Sequence, residues 1–303
     1  IKSSYKEEEI IMTTSLLLQA PCVEMENLEN LWFQLSKTAC NLKCKNCFLS
    51  CTNKYNVKSF LPMDKIKSSL LDSKESLKAV YLTGGEPLIH PDFNNILRLC
   101  LKFADTTVLT NGTMLNDKKT RFLKQIQQDY SYELIFRVSL DSYDENKNDA
   151  IRGYGNFRKV LSGIQNLLKY DFNPIISVVN FEGEDEELIK SKFAEVFKII
   201  DFEVEDINFK IIPPLKLGGC KNIYGDYSDT DFVSSEMMKN KEFDCKNSRI
   251  VADDGVYACA SLVNDFRGKV GSSLKDFSRR IFLESNACYT CAMCKTRMFN
   301  NNW

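Results

Sequence analysis

The chain almost lacks histidine: there is one, His90, among 303 residues. A single imidazole cannot build a histidine-ligated metal centre, and it argues against a Ser/His/Asp hydrolase. An excess of one charge sign is also missing, since 40 Lys and Arg nearly cancel 41 Asp and Glu. No global basic field draws the chain to nucleic acid or to an anionic membrane, so neither is expected as a partner. Long apolar runs are absent, and the longest near the start, residues 15–21, is too short to cross a bilayer. No secretory signal, internal repeat or long low-complexity tract stands out. Hydrophobic residues make up 44% and charged residues 27%, a balance that excludes disorder and fits a folded globular chain.

Cysteine, by contrast, is plentiful at 12 residues. Without a signal peptide these thiols read as metal ligands of a cytoplasmic protein rather than as a secreted disulfide framework. The length permits one barrel-sized domain with an appendage, or two ordinary domains.

From about residue 31 to 213, short β-branched or aromatic runs alternate with helical patterns. Residues 31–35, 80–83, 107–110, 134–140, 175–179 and 207–212 read as strands. Between them, residues 63–73, 92–103, 118–127, 157–170 and 186–200 carry apolar side chains at three- and four-residue spacing and read as helices. Such alternation implies right-handed crossovers and a parallel α/β sheet, either open or curved into a barrel. The rhythm breaks at Pro213-Pro214 and Gly218-Gly219, which sets the expected boundaries: an extension over 1–29, with Met12 as a candidate start, a main domain over 30–215, and a cysteine-rich domain over 216–303. The last segment is too short to bury much apolar surface, so a metal staple is its natural supplement.

Cys40, Cys44 and Cys47 form C-x3-C-x2-C directly after the first strand. A loop of this length can turn three thiolates toward one point, and thiolates suit iron-sulfur clusters or zinc. Two readings follow. Cys51 could add a fourth ligand to a zinc or ferredoxin-type site, or three ligands could leave one iron of a cubane open to an exchangeable group. The motif, with Phe48 after it, resembles the signature of the radical S-adenosylmethionine (radical SAM) superfamily. That resemblance implies a partial (β/α)6 TIM-like barrel. It also implies a [4Fe-4S] cluster whose open iron chelates S-adenosylmethionine, and reductive cleavage of that cofactor to a 5′-deoxyadenosyl radical that abstracts hydrogen from substrate.

Further segments agree with it. Thr83-Gly84-Gly85-Glu86-Pro87 at the second strand end looks like the family's GGEP motif, which implies that Gly84, Gly85 and Glu86 bind the cofactor's amino group. Paired glycines let backbone approach a ligand closely. Thr110-Asn111-Gly112 resembles the family's TNG segment, with Asn111 either a cofactor contact or a turn cap. Ser139-Leu140-Asp141 and Arg152-Gly153 with Phe157 resemble the peptide-modifying branch, which implies Ser139 near the ribose or carboxylate and Arg152 on the carboxylate. Arginine's planar fork suits that group, although a surface ion pair with Asp149 or a neighbour is the plainer reading. His90 reads as loop structure, and Cys100 as core.

Cys245, Cys259, Cys288 and Cys291 resemble the ligand set of the family's short twitch extension, itself related to SPASM domains. This implies one auxiliary [4Fe-4S] cluster, with Cys294 an alternative to Cys291, Cys220 a possible extra ligand and zinc an alternative metal. The substrate implied is a peptide or protein. A small-molecule alcohol such as a sugar or cyclitol is the alternative, and a non-catalytic zinc module a remote one. The N-terminal stretch looks too small for the leader-binding domain of many peptide-modifying relatives. A one-electron donor such as a flavodoxin or ferredoxin is expected, and Asp141 and Lys210 are candidate bases by location only.

Overall fold

The computed structural model describes residues 21–49, 59–200, 208–239, 241–263, 265–283, 286–294 and 297–301. Cys51 lies outside the described residues. Six strands run in parallel in chain order: β2 (Asn30–Gln34), β3 (Ala79–Thr83), β4 (Asp105–Thr110), β5 (Leu134–Ser139), β6 (Ile175–Val179) and β7 (Asn208–Ile212). The helices between them are α1 (Met63–Ser73), α2 (Phe93–Cys100), α3 (Asp117–Gln128), α4 (Glu145–Arg152), α5 (Asn156–Lys169) and α6 (Glu186–Lys198). Strand β1 (Cys22–Glu24) stands apart from this sheet and pairs antiparallel with β12 (Arg280–Phe282).

Alternation along each strand divides two cores. Leu31 and Phe33 of β2, with Val80 and Leu82 of β3, pack on the helices, whereas Trp32 and Tyr81 face the opposite side. The helices answer with apolar stripes, as in α2, where Phe93, Ile96, Leu97 and Cys100 are buried at the spacing of one helical face. Their starts are fixed by side-chain caps: Asn116 accepts from the Lys119 amide, Asp144 from the Lys147 amide and Asp185 from the Glu187 and Leu188 amides.

Beyond β7 the chain forms α7 (Lys221–Tyr224), α8 (Ser235–Met238), β8 (Ser248–Ala252), β9 (Gly255–Tyr257), β10 (Lys269–Ser273), β11 (Asp276–Phe277) and α9 (Asn286–Met293). Strand β8 adds in parallel to β2, with Asn30 opposite Ser248 and Phe33 opposite Val251, and β9, β10 and β11 extend that edge antiparallel. The cysteine-rich segment therefore continues the barrel sheet.

Residues 298–301 then enter the barrel interior. Trp32 and Tyr81 stack with ring centroids 4.2 Å apart, the Trp32 Nε1 donates to Asn300 Oδ1 at 3.2 Å, and the Asn301 amide donates to the Tyr81 hydroxyl at 3.1 Å. Asp244 gathers this tail, its carboxylate accepting from the amides of Met298, Phe299 and Asn300 at 2.9, 2.9 and 3.3 Å. No described helix is long and apolar enough to cross a membrane.

Two elements escaped the sequence pattern. Helix α4 is polar nearly all round, with only Asn148 buried. Strand β8 is buried at every position and too short to show a period.

Candidate functional site

The loop that leaves β2 carries the first three cysteines, and local hydrogen bonds give it one path. The Ser36 hydroxyl accepts from the amides of Thr38 and Ala39 at 3.2 and 2.8 Å, turning the chain. The end of β3 then presses against that turn: the Gly85 amide donates to the Ser36 carbonyl at 3.0 Å, and the Glu86 amide to the Ala39 carbonyl at 2.8 Å. A Cβ on Gly85 would lie 1.8 Å from the Ala39 oxygen, and Gly84 has φ +103 with the Ser36 oxygen 2.6 Å from its Cβ position. The glycine pair is thus required by contact with the cysteine loop itself.

Glu86 holds β4 to this corner. Its Oε1 accepts from the Thr110 hydroxyl at 2.8 Å and the Leu88 amide at 3.1 Å, and its Oε2 from the Asn111 amide at 2.8 Å. Burial raises its pKa while those three donors oppose the rise. The Glu86 side chain does not reach the cavity described below. Asn111 does reach it and also caps the turn: its Oδ1 accepts from Thr113, and its Nδ2 donates to Asn41 Oδ1 in the cysteine loop at 2.8 Å.

On the far side the loop is held by α4. The Lys45 amide donates to the Ile151 carbonyl at 2.9 Å, and the Asn46 Nδ2 donates to Asp141 Oδ2 at 2.8 Å. The same Asp141 oxygen accepts from Arg152 Nε at 2.8 Å, while Asp141 Oδ1 is buried with no hydrogen-bond partner. Arg152 is therefore paired with Asp141, whereas Asp149 accepts from the amides of Gly155 and Phe157. Burial works against the Arg152 charge, but Asp141, Cys44 and Cys47 outweigh it and raise its pKa. From below, the Gly219 amide donates to the Cys47 carbonyl and the Cys220 thiol donates to the Asn46 carbonyl, each at 2.8 Å. Cys220 thus stands beside the first cysteine loop and away from the second set.

Cys40, Cys44 and Cys47 line one cavity together with Gly84, Gly85, Asn111, Ser139 and Arg152, at the carboxyl ends of β2 to β5. Trp32, Leu109, Val179, Ile212, Ile250 and Phe299 make its wall largely apolar. Arg137 stands at the floor, donating to the Phe299 carbonyl at 2.6 Å and, through Nε and a terminal nitrogen, to the Ser177 hydroxyl. Period-two alternation from Ser139 places Arg137 on this face, a signal available in the sequence. Asn46 and Cys220 carried no such signal.

The thiols share a common electrostatic state. Burial first, with Glu86, Cys44 and Cys47 adding to it, pushes Cys40 up to about 11. Burial raises Cys44 as well, against the pull of Arg152. In the second set, burial raises Cys245, Cys259 and Cys291; Cys245 further feels Cys259 and Cys288, and Cys291 feels Asp244, Cys245, Cys259 and Cys288. Cys294 instead lies near Lys210, which burial pushes down to about 8. Crowded thiols that resist ionising together are what a cationic metal cluster relieves, and both sets fit such a group in donor chemistry. Among the described residues no three Cys, His, Asp or Glu side chains are close enough to share a single metal ion.

The remaining sequence candidates are structural. His90 Nδ1 accepts from the Asp92 amide at 3.1 Å, so Nε2 carries the proton toward the Leu61 carbonyl, and burial lowers the ring's pKa. Cys100 is fully buried among helix-side core residues.

A parallel partial barrel with three thiols and a glycine-flanked cavity at its strand ends defines the architecture of a cluster-dependent α/β enzyme. The profile of the Radical SAM superfamily matches residues 36–191, about half of the chain, and the protein belongs to that superfamily, whose enzymes use a [4Fe-4S] cluster and S-adenosylmethionine. The chain is similar to the antilisterial bacteriocin subtilosin biosynthesis protein AlbA of Bacillus subtilis (strain 168), 32% identical over 146 residues, which are 47% of this chain and 31% of AlbA. It is also similar to the probable GTP 3′,8-cyclase of Methanocella arvoryzae, 31% identical over 166 residues, 54% of this chain and 49% of the relative. The chain thus spans about half or less of the length of these curated relatives. In fold it is similar to Streptococcus suis SuiB bound to S-adenosylmethionine, with a TM-score of 0.61 at 17% identity, covering 82% of this chain and 64% of SuiB.

Proposed function

We propose that the protein reductively cleaves S-adenosylmethionine at a [4Fe-4S] cluster held by Cys40, Cys44 and Cys47, and abstracts a hydrogen atom from a peptide substrate. When bound, the cluster supplies one electron to the cofactor and so generates the 5′-deoxyadenosyl radical. The observation that carries this reading is the convergence of the three thiols with Gly84, Gly85, Ser139 and Arg152 on one cavity. Gly84 and Gly85 keep the β3 end close to the loop, Arg152 offers a cation for the cofactor's carboxylate, and the apolar wall with Phe299 at its floor excludes water from a radical. Cys245, Cys259, Cys288 and Cys291 hold an auxiliary [4Fe-4S] cluster in this reading, and a flavodoxin- or ferredoxin-type donor supplies the electron.

The likeness to AlbA, a protein of bacteriocin biosynthesis, supports a peptide substrate. The cavity favours it over a nucleoside triphosphate. Its two cationic lining residues are already engaged, Arg137 by Ser177 and Phe299 and Arg152 by Asp141, which leaves little to neutralise a triphosphate. The test is anaerobic turnover of the reconstituted enzyme with dithionite and S-adenosylmethionine, scored by 5′-deoxyadenosine. Perdeuterated precursor peptides, GTP or a cyclitol are then offered in turn. Deuterium reaching 5′-deoxyadenosine from peptide alone supports the assignment; transfer from the nucleotide or the cyclitol overturns it, and absence of 5′-deoxyadenosine in every reaction overturns the chemistry itself.

A further inference from the structure

We propose that Asp141 is a positioning residue that fixes Arg152 relative to the cysteine loop, so that the guanidinium offers its two terminal nitrogens to the carboxylate of S-adenosylmethionine. The inference rests on the reading of the site given above and adds a residue to it. One carboxylate oxygen, Asp141 Oδ2, accepts both from Arg152 Nε and from Asn46 Nδ2, each at 2.8 Å. Asn46 lies between Cys44 and Cys47, so that single oxygen ties the arginine to the segment that carries two thiols.

The pair is enclosed, with the side chain of Asp141 0% exposed and that of Arg152 11% exposed. Asp141 stands just before α4 and Arg152 is its last residue, so the ion pair closes across the two ends of one helix. The Lys45 amide on the Ile151 carbonyl repeats the attachment through backbone one residue earlier. Three links between the same two segments leave the separation of loop and guanidinium little freedom.

The donor geometry follows from the bonds already made. Arginine has five N–H donors, and only the one on Nε is engaged, so among the described residues the terminal nitrogens of Arg152 have no protein partner. Both Arg152 and Asp141 line the cavity that holds the three thiols. An arginine anchored through Nε presents its outer edge as a fork, the arrangement that matches a carboxylate with two parallel hydrogen bonds. Without the anchor the long side chain regains its rotamers, and ordering it again would weaken each encounter with the ligand.

The test compares equilibrium dialysis of S-adenosylmethionine with that of decarboxylated S-adenosylmethionine, which lacks only the carboxylate. It uses unreduced, reconstituted protein in which iron content has been matched. Asp141→Ala is expected to weaken S-adenosylmethionine binding about tenfold and to leave the decarboxylated ligand within about twofold. Asp141→Glu keeps the charge but displaces the guanidinium, and is expected to show the same selective loss; it carries the comparison if the alanine variant does not assemble its clusters. In an Arg152→Ala background, Asp141→Ala is expected to add nothing further. Equal weakening of both ligands, unchanged binding in the Asp141 variants, or an Asp141 effect that persists without Arg152 would overturn the positioning role alone. Failure of the unmodified protein to bind S-adenosylmethionine would overturn the underlying reading as well.

Discussion

The carbonyl oxygen of Ala39 occupies the space that a Cβ on Gly85 would need, only 1.8 Å from it. The glycine motif at the end of β3 and the cysteine loop after β2 are therefore one packed unit, and side-chain bulk in the first displaces the second.

Gly85→Ala is expected to cost about 2–4 kcal/mol, because the obstructing atom is backbone and cannot swing aside. The loss should fall first on the cysteine loop. Iron bound at that site should drop while the auxiliary set keeps its own, which iron analysis beside a Cys40/Cys44/Cys47 triple alanine variant would resolve. A variant with full iron and an unchanged melting temperature would contradict the packing argument.

The two thiol sets are expected to load independently. About eight irons per chain should fall to about four in the Cys40/Cys44/Cys47 triple alanine variant and to about four in a variant lacking Cys245, Cys259, Cys288 and Cys291. Only the first variant should lose 5′-deoxyadenosine formation outright. Zinc in place of iron at either set would count against the cluster assignment there.

Asp244→Ala leaves the buried amides of Met298, Phe299 and Asn300 without their acceptor. A destabilisation of about 3–5 kcal/mol is expected, on the scale of several unsatisfied buried donors. Hydrogen exchange at those three amides should rise well before exchange in β3 and β4 does, and uniform protection in the variant would exclude the role given to Asp244.

Lys210 gives a pH signature. Burial depresses its pKa to about 8, so between about pH 8 and the ordinary lysine value near 10.4 the unfolded chain binds more protons than the native one. The destabilisation from this group is fully present below pH 8 and fades as pH rises through that window. Lys210→Met is expected to stabilise the metal-free protein at pH 7 by about 2–3 kcal/mol, with the advantage shrinking toward pH 10.5. Denaturant titrations at both pH values read the difference, and a constant offset would refute it.

The sequence made the barrel legible because its strands and helices carry different periods. Strand β6 occupies residues 175–179 and helix α1 residues 63–73, the same spans the apolar spacing marks. Cys40, Cys44, Cys47, Gly84, Gly85, Asn111, Ser139 and Arg152 meet at one cavity because each sits at or just past a strand end, and parallel strands bring those ends to one rim. The reasons behind single residues were harder to see. Glu86 faces into protein because its three donors come from Leu88, Thr110 and Asn111, a convergence that only the β3–β4 register creates. Helix α4 offers almost no apolar face, since it is held by its Asp144 cap and by the bridge from Asp141 to Arg152. Strand β8 is invisible to periodicity because burial on both faces erases alternation.

The placement of β8 also sets an order of events during synthesis. Asn30 and Ser248 are partners across one parallel ladder, so the first barrel strand keeps an open edge until more than two hundred further residues have left the ribosome. The cysteine loop hangs from that same strand. Cluster delivery during translation would meet a loop whose supporting strand is covered on one side only, and contacts this distant in sequence form slowly. The chain must therefore spend time with β2 exposed, which makes it dependent on rapid completion or on protection of that edge.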